Sequence, residues 1–179
     1  FITAGTGMDA FAHCLEAYCS PHYHPMSQGI ALEGMRLVKN YLPVAFEDGS
    51  NLEARAHMMS AAAMGATAFQ KGLGAIHALS HPIGAFHHTH HGTTNAVVMQ
   101  EVLKFNRSAV EERLGEAAHY LDIEGGFDGF YSFVGALNQR LSIPGSLTDL
   151  GVDFLQGHLF APALREPDWI TAPAQCLVV

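Results

Sequence analysis

Apolar residues recur at intervals of three or four positions along most of the chain, and no segment alternates clearly between apolar and polar positions. This spacing is typical of amphipathic α-helices and not of β-strands. The pattern predicts helices over residues 7–18, 27–45, 52–69, 75–82, 93–105, 109–121 and 127–141. We therefore expect an all-α fold, a helical bundle that forms one domain over residues 1–179.

The expected helix boundaries follow from residues that start or interrupt helices. Thr6 and Asn51 are placed to cap the first and third helices with their side chains. Pro82 and Gly84 are expected to disturb the fourth helix, because proline lacks a backbone N–H group and glycine is flexible. The third helix is rich in small side chains, which predicts close packing against neighbouring helices; these residues are Ala61, Ala62, Ala63, Gly65 and Ala66.

Composition narrows the class of protein. Acidic residues outnumber basic residues 17 to 9, for a formal net charge of −8, and the Lys and Arg residues are scattered. We therefore expect no nucleic-acid partner. Lys71, next to the Gly-Leu-Gly turn, is expected to be solvated, and contact with a phosphate or an acidic substrate is the alternative. The longest apolar stretch is shorter than the roughly 20 residues of a membrane span, so no membrane partner is expected either. Three cysteines without a CxxC pair indicate a reducing compartment and predict a cytoplasmic protein.

Six of the twelve histidines lie in one segment, GAIHALSHPIGAFHHTHHG, which covers residues 74–92. Asp9 and His13 are four residues apart on one face of the first predicted helix, His77 and His81 repeat this spacing, and His91 follows in a loop. A carboxylate with several imidazoles from separate helices suits a divalent transition metal such as iron, zinc or nickel. Spacing alone does not choose among the histidines. The clustered histidines that compete with one another are His81, His87, His88 and His90.

Two segments resemble the signature regions of the iron-dependent, group III alcohol dehydrogenases. Residues 6–20 read TGMDAFAHCLEAYCS, similar to a family pattern of Asp-Ala, then His, then Glu-Ala-Tyr. Residues 72–99 read GLGAIHALSHPIGAFHHTHHGTTNAVVM, similar to a second pattern of Gly-Leu-Gly, His, His-Pro, Gly-Ala and a later His-Gly, with Asn95 three residues beyond. The resemblance extends over residues 3–151. Residues 152–179 depart from it, and Gln100 stands where the family usually has proline.

This resemblance implies roles for five residues. Asp9, His13, His77 and His91 would be the metal ligands, and His81 would be a catalytic residue beside the metal, facing nicotinamide and substrate. The implied fold is a helical bundle, in agreement with the apolar pattern. The implied cofactors are Fe(II), with Zn(II) or another divalent metal as the alternative, and NAD or NADP.

The function implied by the resemblance is the metal-bearing half of an NAD(P)-dependent alcohol dehydrogenase. The metal would act as a Lewis acid on the oxygen of a small alcohol or aldehyde while hydride is transferred. One alternative is a zinc polyol dehydrogenase-like site, which His13 disfavours because such relatives typically lack a histidine ligand there. A second alternative is a non-catalytic metal-binding helical module.

The family has an N-terminal dinucleotide-binding domain, and no part of this sequence resembles it. Because the chain begins at Phe1 and not at Met, we expect it to be the back part of a longer protein. The isolated chain is accordingly expected to be inactive. The missing domain would leave an apolar face exposed, which favours association into a homo-oligomer.

Overall fold

The structure, a computed structural model, describes residues 1–152. Within this range the chain forms seven α-helices and two short 3-10 turns, without any strand. The helices are α1 (Ile2–Cys19), α2 (Pro25–Glu47), α3 (Leu52–Ala68), α4 (Ala75–His87), α5 (His91–Phe105), α6 (Arg107–Tyr120) and α7 (Gly126–Arg140), and the 3-10 turns are Phe69–Lys71 and Thr148–Leu150. The predicted all-α class is confirmed. The expectations for the end of the chain, including Cys176, lie outside the described residues.

Helix α1 is the central helix of the bundle. It packs against α2, α3 and α5, while α2 pairs with α3, α4 with α5, and α6 with α7. Met8, Phe11 and Leu15 recur at helical spacing on α1 and are fully buried. Burying each such side chain contributes about 1.5–3 kcal/mol of hydrophobic stabilisation. Among the residues that the structure describes, no helix combines the length and apolar character needed to cross a membrane.

Small residues allow α1, α2 and α3 to approach one another closely. A Cβ atom added to Gly34 of α2 would lie 2.4 Å from Sγ of Cys14, and one added to Gly65 of α3 would lie 3.0 Å from Cβ of His13. No side chain larger than hydrogen fits at Gly34 without displacing the thiol. The close packing predicted for the third helix is found at Ala61 and Gly65, which are buried, whereas Ala62, Ala63 and Ala66 are exposed. At Gly65 it sets the backbone of α3 directly against His13.

Of the two predicted N-caps, one is present in the structure and the other is not. Asn51 caps α3, since its side chain accepts a hydrogen bond from the N–H of Ala54 at 3.0 Å. Thr6 does not cap α1, which begins at Ile2; the Thr6 hydroxyl instead donates to the carbonyl of Ile2 at 2.9 Å, inside the helix. The helix starts earlier than predicted because its first turn packs on the start of α5, where Gly5 lies against Thr93 and Gly92, a contact between segments far apart in sequence.

Helix α4 continues through Pro82 to His87, beyond the predicted disturbance. Pro82 is exposed, and a proline removes one N–H donor of the helix while the other donors remain. Packing of α4 along α5 maintains the helix past this position.

Lys71 is buried, with 4% of its surface exposed, and the expectation that it is solvated is wrong. Its ammonium group donates to the carbonyls of Ala17, Tyr18 and Ser20 at 3.0, 3.2 and 2.7 Å. Arg113 donates to the carbonyls of Tyr18 and Ser20 as well. The carbonyls at the end of a helix lack intrahelical partners and attract cations, so these two side chains stabilise the end of α1. Lys71 ties the segment before α4 to this end, and Arg113 ties α6 to it.

Candidate metal centre

The structure brings together all four residues implied as ligands. Asp9 and His13 come from α1, His77 from the first turn of α4, and His91 is the first residue of α5. The Nε2 atoms of His13, His77 and His91 lie 4.0, 3.5 and 3.3 Å from Oδ1 of Asp9. The donor atoms of Asp9, His13 and His77 lie within 4.8 Å of one another, whereas His91 is outside this group of three and approaches it through Asp9.

These separations fit a single metal ion. In a tetrahedral site with bonds of about 2.1 Å, two donor atoms lie roughly 3.4 Å apart. The three distances from Oδ1 of Asp9 fall around that value. One carboxylate with three imidazoles suits iron, zinc, cobalt or nickel rather than calcium or magnesium, which prefer oxygen ligands.

Glycine at position 92 allows α5 to bring His91 to this cluster. A Cβ atom at Gly92 would lie 2.1 Å from the carbonyl oxygen of Gly5 and 3.0 Å from Cβ of Asp9. The lack of a side chain therefore lets α5 lie directly against the backbone of α1. This close contact sets His91 beside Asp9.

Hydrogen bonds orient two of the imidazoles. Nδ1 of His77 is hydrogen-bonded to a carboxylate oxygen of Glu16. Ser80 donates to the carbonyl of His77 at 3.3 Å, and its oxygen lies 3.4 Å from Nδ1 of His91. In both residues Nδ1 has a protein neighbour, while Nε2 faces Asp9.

Asn95 lies in the middle of the cluster and is fully buried. Its amide nitrogen donates to Oδ1 of Asp9 at 2.8 Å and lies 3.2 Å from Nε2 of both His77 and His91. Its oxygen has no hydrogen-bond partner among the residues described. The atom of Asn95 that faces the donor cluster is therefore its amide nitrogen.

Burial and mutual charge shift the pKa values of the four residues. Burial raises the pKa of Asp9, but the hydrogen bond with His77 and the fields of His13 and His91 outweigh it and hold the pKa below its usual range. Burial lowers the pKa values of His13 and His91, which favours the neutral imidazoles that bind metals. Burial also opposes the charged form of His77, yet Asp9 and Glu16 raise its pKa to about 9.

The remaining histidines of the segment lie outside the donor cluster. His81 is exposed, and its ring centroid lies 5.2 Å from that of His91 and 5.8 Å from that of His77. His87 and His88 are exposed, and His90 caps α5 by accepting from the N–H of Thr93. The tertiary structure therefore separates residues that compete on spacing alone.

Three further polar residues of the cluster have no role in the sequence interpretation: Glu16, Ser80 and Asn95. Glu16 follows Asp9 by seven positions and His13 by three, so helical spacing sets it on the same face of α1. Asn95 follows His91 by four positions on α5. Helical spacing alone places these two residues beside the proposed ligands of their own helices. Their hydrogen-bond partners on other helices are known only from the tertiary structure.

The chain is similar to a well-defined group of proteins. The model of the Fe-containing alcohol dehydrogenase family, C-terminal, matches residues 3–164. The 4-hydroxybutyrate dehydrogenase of Cupriavidus necator is 41% identical over 160 residues, which cover 84% of this chain and 42% of that protein. Alcohol dehydrogenase 4 of Saccharomyces cerevisiae is 35% identical over 179 residues, which cover 97% of this chain and 47% of that protein.

Solved structures agree with the sequence relatives. A 1,3-propanediol oxidoreductase superimposes with a TM-score of 0.80 at 34% identity, over 84% of this chain and 41% of the other. The chain thus spans less than half the length of the relatives that it matches. The matched residues include all four members of the donor cluster. The chain belongs to the Fe-containing alcohol dehydrogenase family and corresponds to its C-terminal helical domain.

Proposed function

We propose that this chain is the metal-bearing part of an NAD(P)-dependent alcohol dehydrogenase, with Asp9, His13, His77 and His91 as the metal ligands. The observation that carries the proposal is the arrangement of three imidazole Nε2 atoms around one carboxylate oxygen, at separations suited to one ion. The names of the relatives, which include a 4-hydroxybutyrate dehydrogenase and a 1,3-propanediol dehydrogenase, support a small alcohol or aldehyde as substrate.

The protein residues of the proposed site prepare it for a cation. A bound divalent ion supplies Lewis acidity toward the oxygen of an alcohol or aldehyde. Asp9 contributes one negative charge because its pKa is held low, and His13 and His91 contribute neutral nitrogen atoms because burial lowers their pKa values. His77, whose pKa is raised to about 9, has to release a proton when the ion binds. One carboxylate and three neutral imidazoles then do not fully neutralise a 2+ ion, so the site keeps a net positive charge toward substrate.

His81 is the proposed catalytic residue. It stands on α4 one turn after His77, at the exposed rim of the cluster and beside the ring of His91. An imidazole can both accept and donate a proton near neutral pH, and an exposed one can exchange it with water. His81 would carry the alcohol proton between the site and solvent.

The proposed native metal is Fe(II), following the family, although the same ligands accept zinc, cobalt or nickel. NAD or NADP would be held mainly by residues outside this chain, which spans less than half of its relatives. The proposed compartment is the cytoplasm. Within residues 1–152, Cys14 and Cys19 form no disulfide, as is usual in a reducing environment.

Metal titration of the chain under anaerobic conditions tests the ligand set. We expect about one Fe(II), Co(II) or Zn(II) per chain, measured by elemental analysis after gel filtration, and loss of the ion in His13→Ala and in His91→Ala. The matched control is His119→Ala, which removes an exposed imidazole from α6 and should leave the ion bound. A parent chain without metal, or equal metal content in all variants, would contradict the proposal.

The enzymatic part of the proposal needs a cofactor domain. The chain alone, loaded with metal, is expected to leave NAD+ and NADP+ unreduced in the presence of a primary alcohol. Joined to the part of the Cupriavidus necator relative that this chain does not match, it should reduce the nucleotide with a small alcohol. In that chimera His81→Ala should lower the rate and alter its pH profile. A folded chimera that binds both metal and nucleotide yet oxidises no alcohol would favour the non-catalytic metal-binding module.

A further inference from the structure

Glu16 is a buried carboxylate that joins α1 to α4, with 6% of its surface exposed. One oxygen, Oε1, accepts the backbone N–H of Ile76 at 2.6 Å. The other, Oε2, is hydrogen-bonded to Nδ1 of His77. An ionised carboxylate only accepts hydrogen bonds, so the proton of this bond belongs to Nδ1 of His77.

The same carboxylate fixes the start of α4. The first N–H groups of a helix have no intrahelical partner, and the N-cap residue of α4 is Gly74, which offers no side chain to accept from them. Glu16 supplies the acceptor from α1. A Cβ atom at position 74 would lie 3.1 Å from Oε1 of Glu16, so glycine leaves room for the carboxylate. The first turn of α4, which carries His77, is therefore held against α1.

We propose that Glu16 is a positioning residue, which holds the ring of His77 with its Nε2 atom toward the proposed metal. The inference rests on the proposed metal centre. When a metal ion displaces the proton of Nε2, the hydrogen bond to Glu16 keeps the remaining ring proton on Nδ1. The lone pair then lies on Nε2, the atom that is 3.5 Å from Oδ1 of Asp9. The negative charge of Glu16 also makes the imidazole a stronger donor toward a cation.

The substitution Glu16→Gln separates this role from simple packing, because glutamine has nearly the same shape. A carboxylate accepts from two donors, whereas an amide has one accepting oxygen and one NH2 group that donates. If the amide oxygen accepts from Ile76, the NH2 group faces Nδ1 of His77. That arrangement favours a proton on Nε2, where it blocks coordination. If the oxygen accepts from His77 instead, the N–H of Ile76 loses its partner.

The test compares the affinity for Co(II) of the 179-residue parent chain, Glu16→Gln and a matched control, measured by competition with a chelator. The control is Glu112→Gln, which removes the same charge from the exposed surface of α6. We expect about 10- to 100-fold weaker binding for Glu16→Gln and a change of less than twofold for the control. The visible absorption bands of Co(II) should also change in Glu16→Gln, because the field of one ligand is altered.

A second measurement uses the parent alone and does not depend on the variant folding. In the Zn(II)-loaded chain labelled with 15N, Nδ1 of His77 should carry a proton that exchanges slowly with water, and Nε2 should be the coordinated atom. Coordination through Nδ1, or Co(II) binding and spectra unchanged in Glu16→Gln, would overturn the role of Glu16 while the metal centre stands. A parent that binds none of these ions would overturn the metal centre, and the role of Glu16 with it.

Discussion

Replacing Gly92 by alanine is expected to separate α5 from α1. The new Cβ atom would lie 2.1 Å from the carbonyl oxygen and 2.7 Å from the carbonyl carbon of Gly5, and real Cβ atoms do not approach other atoms below 3.0 Å. Since these are backbone atoms of a helix, no side chain can rotate to make room. The two helices must move apart by about 0.9 Å, and overpacking of a buried contact typically costs about 1–3 kcal/mol. Because the atoms that the new Cβ meets at Gly5 belong to the backbone and cannot rotate away, we expect a cost near the upper end of that range.

The assay for Gly92→Ala is urea unfolding of the metal-free chain, followed by circular dichroism at 222 nm. Gly115→Ala is the matched control, because a Cβ atom at Gly115 of α6 meets nothing within 4 Å. Alanine is a better helix former than glycine, so the control should gain about 0.5–1 kcal/mol while Gly92→Ala loses about 3 kcal/mol.

A second readout of Gly92→Ala is metal affinity, since Cβ of Asp9 lies 3.0 Å from the added atom and His91 is the preceding residue. Affinity for Co(II) should fall together with stability. If Gly92→Ala unfolds at the same urea concentration as Gly115→Ala, the close contact between α1 and α5 does not exist in solution, and the explanation for how His91 reaches Asp9 is wrong.

Three further predictions concern the support of the site. Lys71→Met removes the ammonium group from the end of α1, where Arg113 still donates to the carbonyls of Tyr18 and Ser20 but the carbonyl of Ala17 loses its cation. This substitution should lower the free energy of unfolding in urea by about 2–3 kcal/mol, whereas Lys104→Met, at an exposed position, should change it by less than about 0.5 kcal/mol. Equal changes in the free energy of unfolding for Lys71→Met and Lys104→Met would refute the stabilising role of the buried Lys71. Asn51→Ala removes the cap of α3 and should cost about 1 kcal/mol in the same assay, while Asn51→Asp, which keeps the accepting oxygen, should cost less. Burial raises the pKa of the Cys14 thiol to about 12. At pH 8 its thiolate fraction is then roughly a thousandfold below that of a thiol with a pKa of 9. Iodoacetamide should therefore modify Cys14 only after the chain unfolds, and mass spectrometry detects the modification.

The local sequence was sufficient to predict where the helices lie, but not where all of them begin and end. Apolar spacing is a property of neighbouring residues, and it predicted α2, α3, α5, α6 and α7 to within a few residues of their observed bounds. Asn51 was recognisable as a cap because its partner, Ala54, is three residues away. The early start of α1 and the passage of α4 through Pro82 depend instead on packing against α5, which a local pattern does not contain.

The sequence by itself determined the donor types and the family, since the Asp-His and His-His spacings and two long motifs are written in consecutive residues. Which side chains meet was decided only by the tertiary structure. His77 and His91 reach Asp9 because α4 and α5 fold back on α1 across more than sixty residues of chain, while the competing His87 and His88 remain exposed. The roles of Glu16 and Lys71 likewise depend on partners 51 to 61 residues away. Hydrogen bonding and close packing between distant segments depend on distances in space, and spacing along the chain does not specify them.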